Sequence, residues 1–205
     1  MSSPQNFVPE PDTALAAQRD WYVDPWHTGV HFTVRNRGLG LVRGRFLRVS
    51  GTAEVPDGDL AKTAVSVTLE TASLTTGVKA RDANLRGSLY LDTEKHPTAT
   101  FVSTELVRTG ALHGVLRGTL ELLGTRHDLD LEVRWLGRGG DPFREDGSQL
   151  AFTASGRLSL RELGLGQKLL PYLPIPGLGD AVELVLDVVL LPYDPTPMLG
   201  DIPID

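Results

Sequence analysis

The feature that most constrains this chain is a period of two. Between Trp21 and Phe46 it reads WYVDPWHTGVHFTVRNRGLGLVRGRF, with Val30, Phe32 and Val34 on one side and His31, Thr33 and Arg35 on the other. An extended chain turns successive side chains to opposite faces, so this alternation predicts a half-buried strand rather than a helix. Gly38 and Gly40 supply turn chemistry, and a second run begins at Val42, so the stretch predicts a hairpin.

The same rhythm continues along the chain. The second strand is expected to run unbroken from Val42 to Val55 and to close at the turn Pro56 to Asp59. Further strands are expected over Ala64 to Glu70, Thr98 to Val107, Leu112 to Leu122, Asp128 to Trp135, Leu150 to Leu160 and Ala181 to Leu191. Gly124-Thr125-Arg126 is read as a tight connection, and RGGDPFREDGS from Arg138 as a polar loop. The rhythm breaks over residues 71–97, where Lys79 to Leu91 is expected to be a short helix carrying Leu85 and Leu89 on one face. Residues 1–20, rich in Pro, Ser, Gln and acid, are read as a mobile arm with a short helix over Thr13 to Arg19. The domain proper is then 21–191, followed by a proline-rich tail, 192–205.

About eight short-spaced strands with one apolar face suit a closed antiparallel barrel, which leaves no exposed edge. A two-sheet sandwich is the competing arrangement. Small inward residues such as Gly51, Ala53, Gly114, Gly118, Ala154 and Gly156 suit a hollow interior, or else mark bulges and bends of a coiled sheet. A hollow interior lined by these strands would be aliphatic and would take a greasy chain.

Several function classes are disfavoured. The net charge of −6 argues against general attraction to nucleic acid, and no zinc-finger or RNP-like pattern is present. With no cysteine there is neither a disulfide nor a thiolate ligand or nucleophile. The five histidines lack the spacing of a metal site, and no G-x-S-x-G or P-loop pattern occurs, so no catalytic residue, metal or cofactor is assigned. The first twenty residues lack a basic region and apolar core, so a cytoplasmic location is expected.

Four stretches carry a resemblance. They are W-Y-V-D-P-x-H-T-x-V-x-F-x-V at Trp21 to Val34 with VRGRF from Val42; RDANLR at Arg81 to Arg86 with LDTEKHP-x-x-x-F ending at Phe101; G-x-L-x-L-x-G-x-x-x-x-L-x-L at Gly118 to Leu131; and FTASGRLSLRELGLG at Phe152 to Gly166. In this order they resemble the YceI-like family of lipocalin-like polyisoprenoid-binding proteins. The resemblance implies an all-β, extended eight-stranded antiparallel barrel with a short helical insertion. Its tunnel would take a long isoprenoid, such as a polyprenyl pyrophosphate or a quinone-type lipid. Asn36 stands where many members have His, and Asn84 replaces the His of R-D-x-H-L-R.

The expected tunnel lining is Phe32, Phe46, Phe101, Leu116, Trp135, Phe152 and Leu184, with a packed core as the alternative. Arg43, Arg45, Arg81, Asp82 and Asn84 are the head-group candidates, because guanidinium forks suit phosphate. Their alternatives are a solvated turn for the first two and a structural network around Asp82. The apolar loop 169–178 is expected to cap the barrel or serve as a portal with transient membrane contact, or else to pack on the barrel or in a homodimer interface. The function expected is non-enzymatic carriage or storage of such a lipid. The alternatives are an enzyme using His and Asp at the barrel mouth and a filled barrel acting as an interaction module.

Overall fold

The computed structural model describes residues 11–36, 40–141, 144–165 and 181–198. Eleven strand segments form one antiparallel sheet: β1 (Asp20–Val23), β2 (Gly29–Asn36), β3 (Gly40–Phe46), β4 (Val49–Glu54), β5 (Ala64–Glu70), β6 (Leu74–Thr75), β7 (Thr98–Arg108), β8 (His113–Leu122), β9 (Thr125–Asp141), β10 (Arg144–Ser159) and β11 (Ala181–Leu191). β1 and β2 occupy one strand position, as do β3 with β4 and β5 with β6. Both β1 and β2 pair with β11, which closes an eight-stranded barrel. The period-two faces land as expected: Val65, Val67 and Leu69, and Leu184, Leu186 and Val188, all line the interior.

The second strand does not run unbroken. It stops at Phe46 and resumes at Val49, and the inward parity changes from Val42 and Phe46 to Val49 and Ala53. The cause lies on the neighbouring strand position, which breaks at Thr71–Ser73. Ser73 is fully buried; its Oγ donates to Glu70 O and accepts from the amides of Leu47, at 3.2 Å, and Arg48, at 3.1 Å. The two breaks are one event, a kink held by a side chain.

Other boundaries also differ from the expected ones. The connection after β8 is the two-residue turn Leu123-Gly124, both with positive φ, rather than Gly124-Thr125-Arg126. The segment read as a polar loop continues the ladder, so β9 and β10 form a long hairpin with pairs such as Gln149 with Gly139. The terminal helix α1 is Pro11–Ala16, and Ala14 and Leu15 are buried, so the chain from residue 11 packs on the barrel. The second helix, α2, is Lys79–Arg86 and ends at Gly87. Leu85 faces inward, whereas Leu89 lies beyond the helix and is exposed.

At one end of the barrel a packed floor is built from α1, Trp21, Val23, Val55, Trp135 and Leu150. The Trp21 indole donates to Leu15 O, fixing α1 there. Two cross-strand glycines admit aromatic rings: a Cβ on Gly44 would lie 2.3 Å from Phe32 Cζ, and one on Gly118 would lie 2.4 Å from Phe101 Cζ. These inward glycines are therefore filled by their neighbours' rings, and the space inside the barrel has another origin.

Candidate functional site

The barrel is hollow away from its floor. The lower cavity, about 230 Å³, is enclosed by Val23, Val30, Val65, Phe101, Leu116, Phe152 and their neighbours. The upper cavity, about 460 Å³, lies beneath α2 and is lined by Phe32, Val34, Val42, Leu85, Tyr90, Leu158 and Val182 among others. The two adjoin, because Phe46, Leu91, Leu122, Leu158 and Leu184 face both. A site of several hundred Å³ with aliphatic and aromatic walls fits the elongated apolar part of a small molecule.

α2 and the segment after it roof the upper cavity through Ala80, Leu85, Tyr90 and Leu91. The roof is tied down by polar groups. Asp82, 5 % exposed, accepts hydrogen bonds from Thr76 N at 2.9 Å, Thr75 Oγ1 at 3.1 Å and Thr76 Oγ1. Burial opposes its charge, but these bonds and the nearby Arg86 guanidinium prevail and hold its carboxyl below the usual carboxylate range. Arg86 donates to Leu74 O, and Thr71 Oγ1 donates to His96 O beneath the roof's far side.

The expected lining residues divide cleanly. Phe32, Phe46 and Leu184 face the upper cavity, and Phe46, Phe101, Leu116, Phe152 and Leu184 face the lower one. Trp135 faces neither. It packs edge-on against Phe152 with ring centroids 5.0 Å apart, as part of the floor. The polar candidates divide too. Arg81 and Asn84 line the upper cavity, and Arg81 is braced by Nε donation to Thr76 Oγ1 at 2.7 Å and a second bond to Thr76 O. Asp82 is turned into its threonine network. Arg43 and Arg45 stand exposed on the outer face of β3, opposite in parity to Val42 and Phe46, and neither lines a cavity.

Sequence reasoning missed Tyr90, Leu91, Leu163 and Leu165 as walls of the upper cavity. These follow the helix or the last residues of β10, where no alternation marks a buried side. No histidine, aspartate or glutamate faces either cavity among the described residues. The His27–Asp24 pair, 2.7 Å apart, sits where β1 breaks into β2; Asp24 also accepts from the amides of Trp26 and His27. That arrangement holds the strand break rather than a substrate at the mouth. The apolar loop 169–178 lies outside the described residues.

Comparison with known proteins agrees with this geometry. The family model of the YceI-like domain matches residues 21–190. A UPF0312 protein of Serratia proteamaculans is 32 % identical over 86 % of this chain and 87 % of its own length. One of Photorhabdus laumondii is 32 % identical over 78 % and 81 %. Among solved structures, Burkholderia cenocepacia BcnA superposes with a TM-score of 0.70 at 20 % identity, covering 82 % of this chain and 98 % of that one. A polyisoprenoid binding domain from Saccharophagus degradans superposes with a TM-score of 0.61 at 15 % identity, covering 85 % and 98 %. These two likenesses concern the fold. The chain belongs to the family of proteins with a YceI-like domain.

Proposed function

We propose that this member of the YceI-like family is a non-enzymatic binding protein that carries or stores a long-chain lipid of the isoprenoid class. The observation that carries the reading is the pair of adjoining apolar cavities, closed at the floor and roofed by a helix with two polar residues on its inner side. The lipid tail would run from under α2 toward Leu116 and Phe152, and the head group would rest near Arg81 and Asn84. The polyisoprenoid binding domain of Saccharophagus degradans, a structural neighbour, supports that choice of ligand class. The absence of histidine, aspartate and glutamate from the described cavity walls supports binding over turnover.

Tail burial sets a length requirement. At about 0.8 kcal/mol per buried carbon, an isoprene unit contributes roughly 4 kcal/mol before costs. Association costs about 4–15 kcal/mol. Single-unit isoprenoids should therefore fail to bind, and affinity should appear only at roughly three or four units. Native mass spectrometry of the purified protein, followed by organic extraction, tests the reading. A stoichiometric adduct that extracts as an isoprenoid is the expected result. A bare protein mass that stays unchanged after incubation with polyprenyl pyrophosphates and quinones of graded length would overturn it.

A further inference from the structure

A lipid under α2 must enter and leave somewhere, and the surface around that roof has two unusual properties. The first is exposed apolar side chains at successive connections of one end, whereas Trp26, Val102, Leu136 and Val185, comparably exposed, lie on other elements. Leu41 at the β2–β3 tip, Val78 just before α2 and Leu89 just after it are 45 %, 49 % and 53 % exposed. Leu41 is next to Val42, and Val78 is two residues before Ala80, and both Val42 and Ala80 line the upper cavity. These three leucine and valine side chains thus ring the roofed end, and packing within the barrel does not account for them.

The second property is charge. Arg35 and Arg43 are exposed on the same hairpin, where Arg35 pairs directly with Leu41, and exposed Lys79 follows Val78. Among the described residues none of these three cations has a carboxylate within ion-pair distance. By contrast Arg19, Arg48, Arg117, Arg126 and Arg157 each have one within 4.0 Å. The chain as a whole carries −6. Even with exposed Glu94 on the segment after α2, these three cations give the roofed end the charge that an anionic surface attracts in an otherwise acidic chain.

We propose that the roofed end is a membrane-docking face, on which Leu41, Val78 and Leu89 enter the headgroup layer of an anionic bilayer while Arg35, Arg43 and Lys79 contact lipid phosphates. Exposed apolar side chains flanked by basic ones are the chemistry that holds a protein at a bilayer interface without crossing it. Docking this way sets the mouth of the upper cavity against the lipid. The inference rests on the reading of the barrel as a lipid carrier.

The test uses the full chain and phosphatidylcholine vesicles with or without one-third phosphatidylglycerol, none containing isoprenoid. Docking is then read regardless of cargo, whereas the cargo reading stands or falls on the extracted lipid. The wild-type protein should co-sediment with the anionic vesicles, weakly with the neutral ones, and should be released by salt. Arg35→Gln/Arg43→Gln/Lys79→Gln should lower partitioning on the order of 100-fold, at about fivefold per cation. Leu41→Ser/Val78→Ser/Leu89→Ser should lower it at least about tenfold. Because the chain has no cysteine, an environment-sensitive dye can be placed at Leu89→Cys and, as a control at the floor end, at Asp57→Cys. Only the first should shift to the blue on anionic vesicles. No co-sedimentation, wild-type behaviour of either triple variant, or equal dye shifts at both positions would overturn the proposal.

Discussion

Gly44→Ala should destabilise the barrel and narrow its upper cavity at the same time. Gly44 pairs directly with Phe32 across the β2–β3 ladder, and the Phe32 ring lies over it. An alanine Cβ would stand 2.3 Å from Phe32 Cζ, 2.7 Å from Cε1 and 2.9 Å from Thr75 O. Carbon atoms rest at about 3.5–4.0 Å, so the ring must move by more than about 1 Å. It has room to do so, because Phe32 faces the upper cavity. Overpacking costs about 1–3 kcal/mol, and replacing a strand glycine recovers about 0.5–1 kcal/mol of chain entropy. With the ring clash at the upper part of that range the net cost should be about 1–2 kcal/mol, which lowers the Tm by roughly 2–8 °C in a chain of this length.

Calorimetry on Gly44→Ala, Phe32→Leu and the double variant isolates the ring. Phe32→Leu alone should cost about 1–2 kcal/mol in lost packing. The added cost of Gly44→Ala should fall by about 1 kcal/mol or more once the ring is gone, since the contact with Thr75 O is common to both backgrounds. Affinity for a long isoprenoid should drop in Gly44→Ala and recover in the double variant. If the glycine change costs the same in both backgrounds, the ring-over-glycine argument fails.

Three further outcomes follow from named contacts. Ser73→Ala removes the hydroxyl that the amides of Leu47 and Arg48 share, while Leu47 N keeps its bond to Ser73 O, and should cost about 1–3 kcal/mol by thermal unfolding; an unchanged Tm would show that the kink holds itself. Asp82→Asn should cost about 1–3 kcal/mol at neutral pH. Because folding lowers the Asp82 pKa, its contribution is present above the unfolded value of about 3.9 and is lost as pH falls through the lower folded value. The Tm gap between wild type and Asp82→Asn should therefore close below about pH 4, and a gap that widens in acid would refute the assignment. Leu184→Trp puts an indole between the two cavities and should weaken binding of a long isoprenoid by at least about tenfold while the protein stays folded; unaltered affinity would show that the tail does not pass Leu184.

Where a strand has one wet and one dry face, the sequence states which residue points where. β5, β7, β8 and β11 were legible to within a residue or so, and six of the seven residues expected to line a tunnel face one cavity or the other. Trp135 was legible as buried but not as floor, because alternation gives the face of a strand and not the height along the barrel. Arg43 and Arg45, expected at a head group, line neither cavity for a related reason. Their stretch resembles the family, but their parity with Val42 and Phe46 already placed them outside. The β9–β10 extension was hidden because its residues are polar and glycine-rich, where pairing rests on backbone hydrogen bonds that leave no hydropathic mark.

The kink and the roof belong together. At Leu47–Arg48 the strand breaks and changes parity beside Phe46, which faces both cavities. The same break on the neighbouring position sends Leu74 and Thr75 along β3 and delivers the chain to α2, whose Asp82 reaches back to Thr75 and Thr76. Kink, short β6 and roof are thus one hydrogen-bonded construction made from Thr71, Ser73, Thr75, Thr76 and Asp82. All five are polar residues in the stretch 71–97, where the period of two gives no signal. Thr71, Ser73 and Asp82 are buried, and the hydrogen bonds that Thr75 and Thr76 give Asp82 make the group structural, beside the upper cavity.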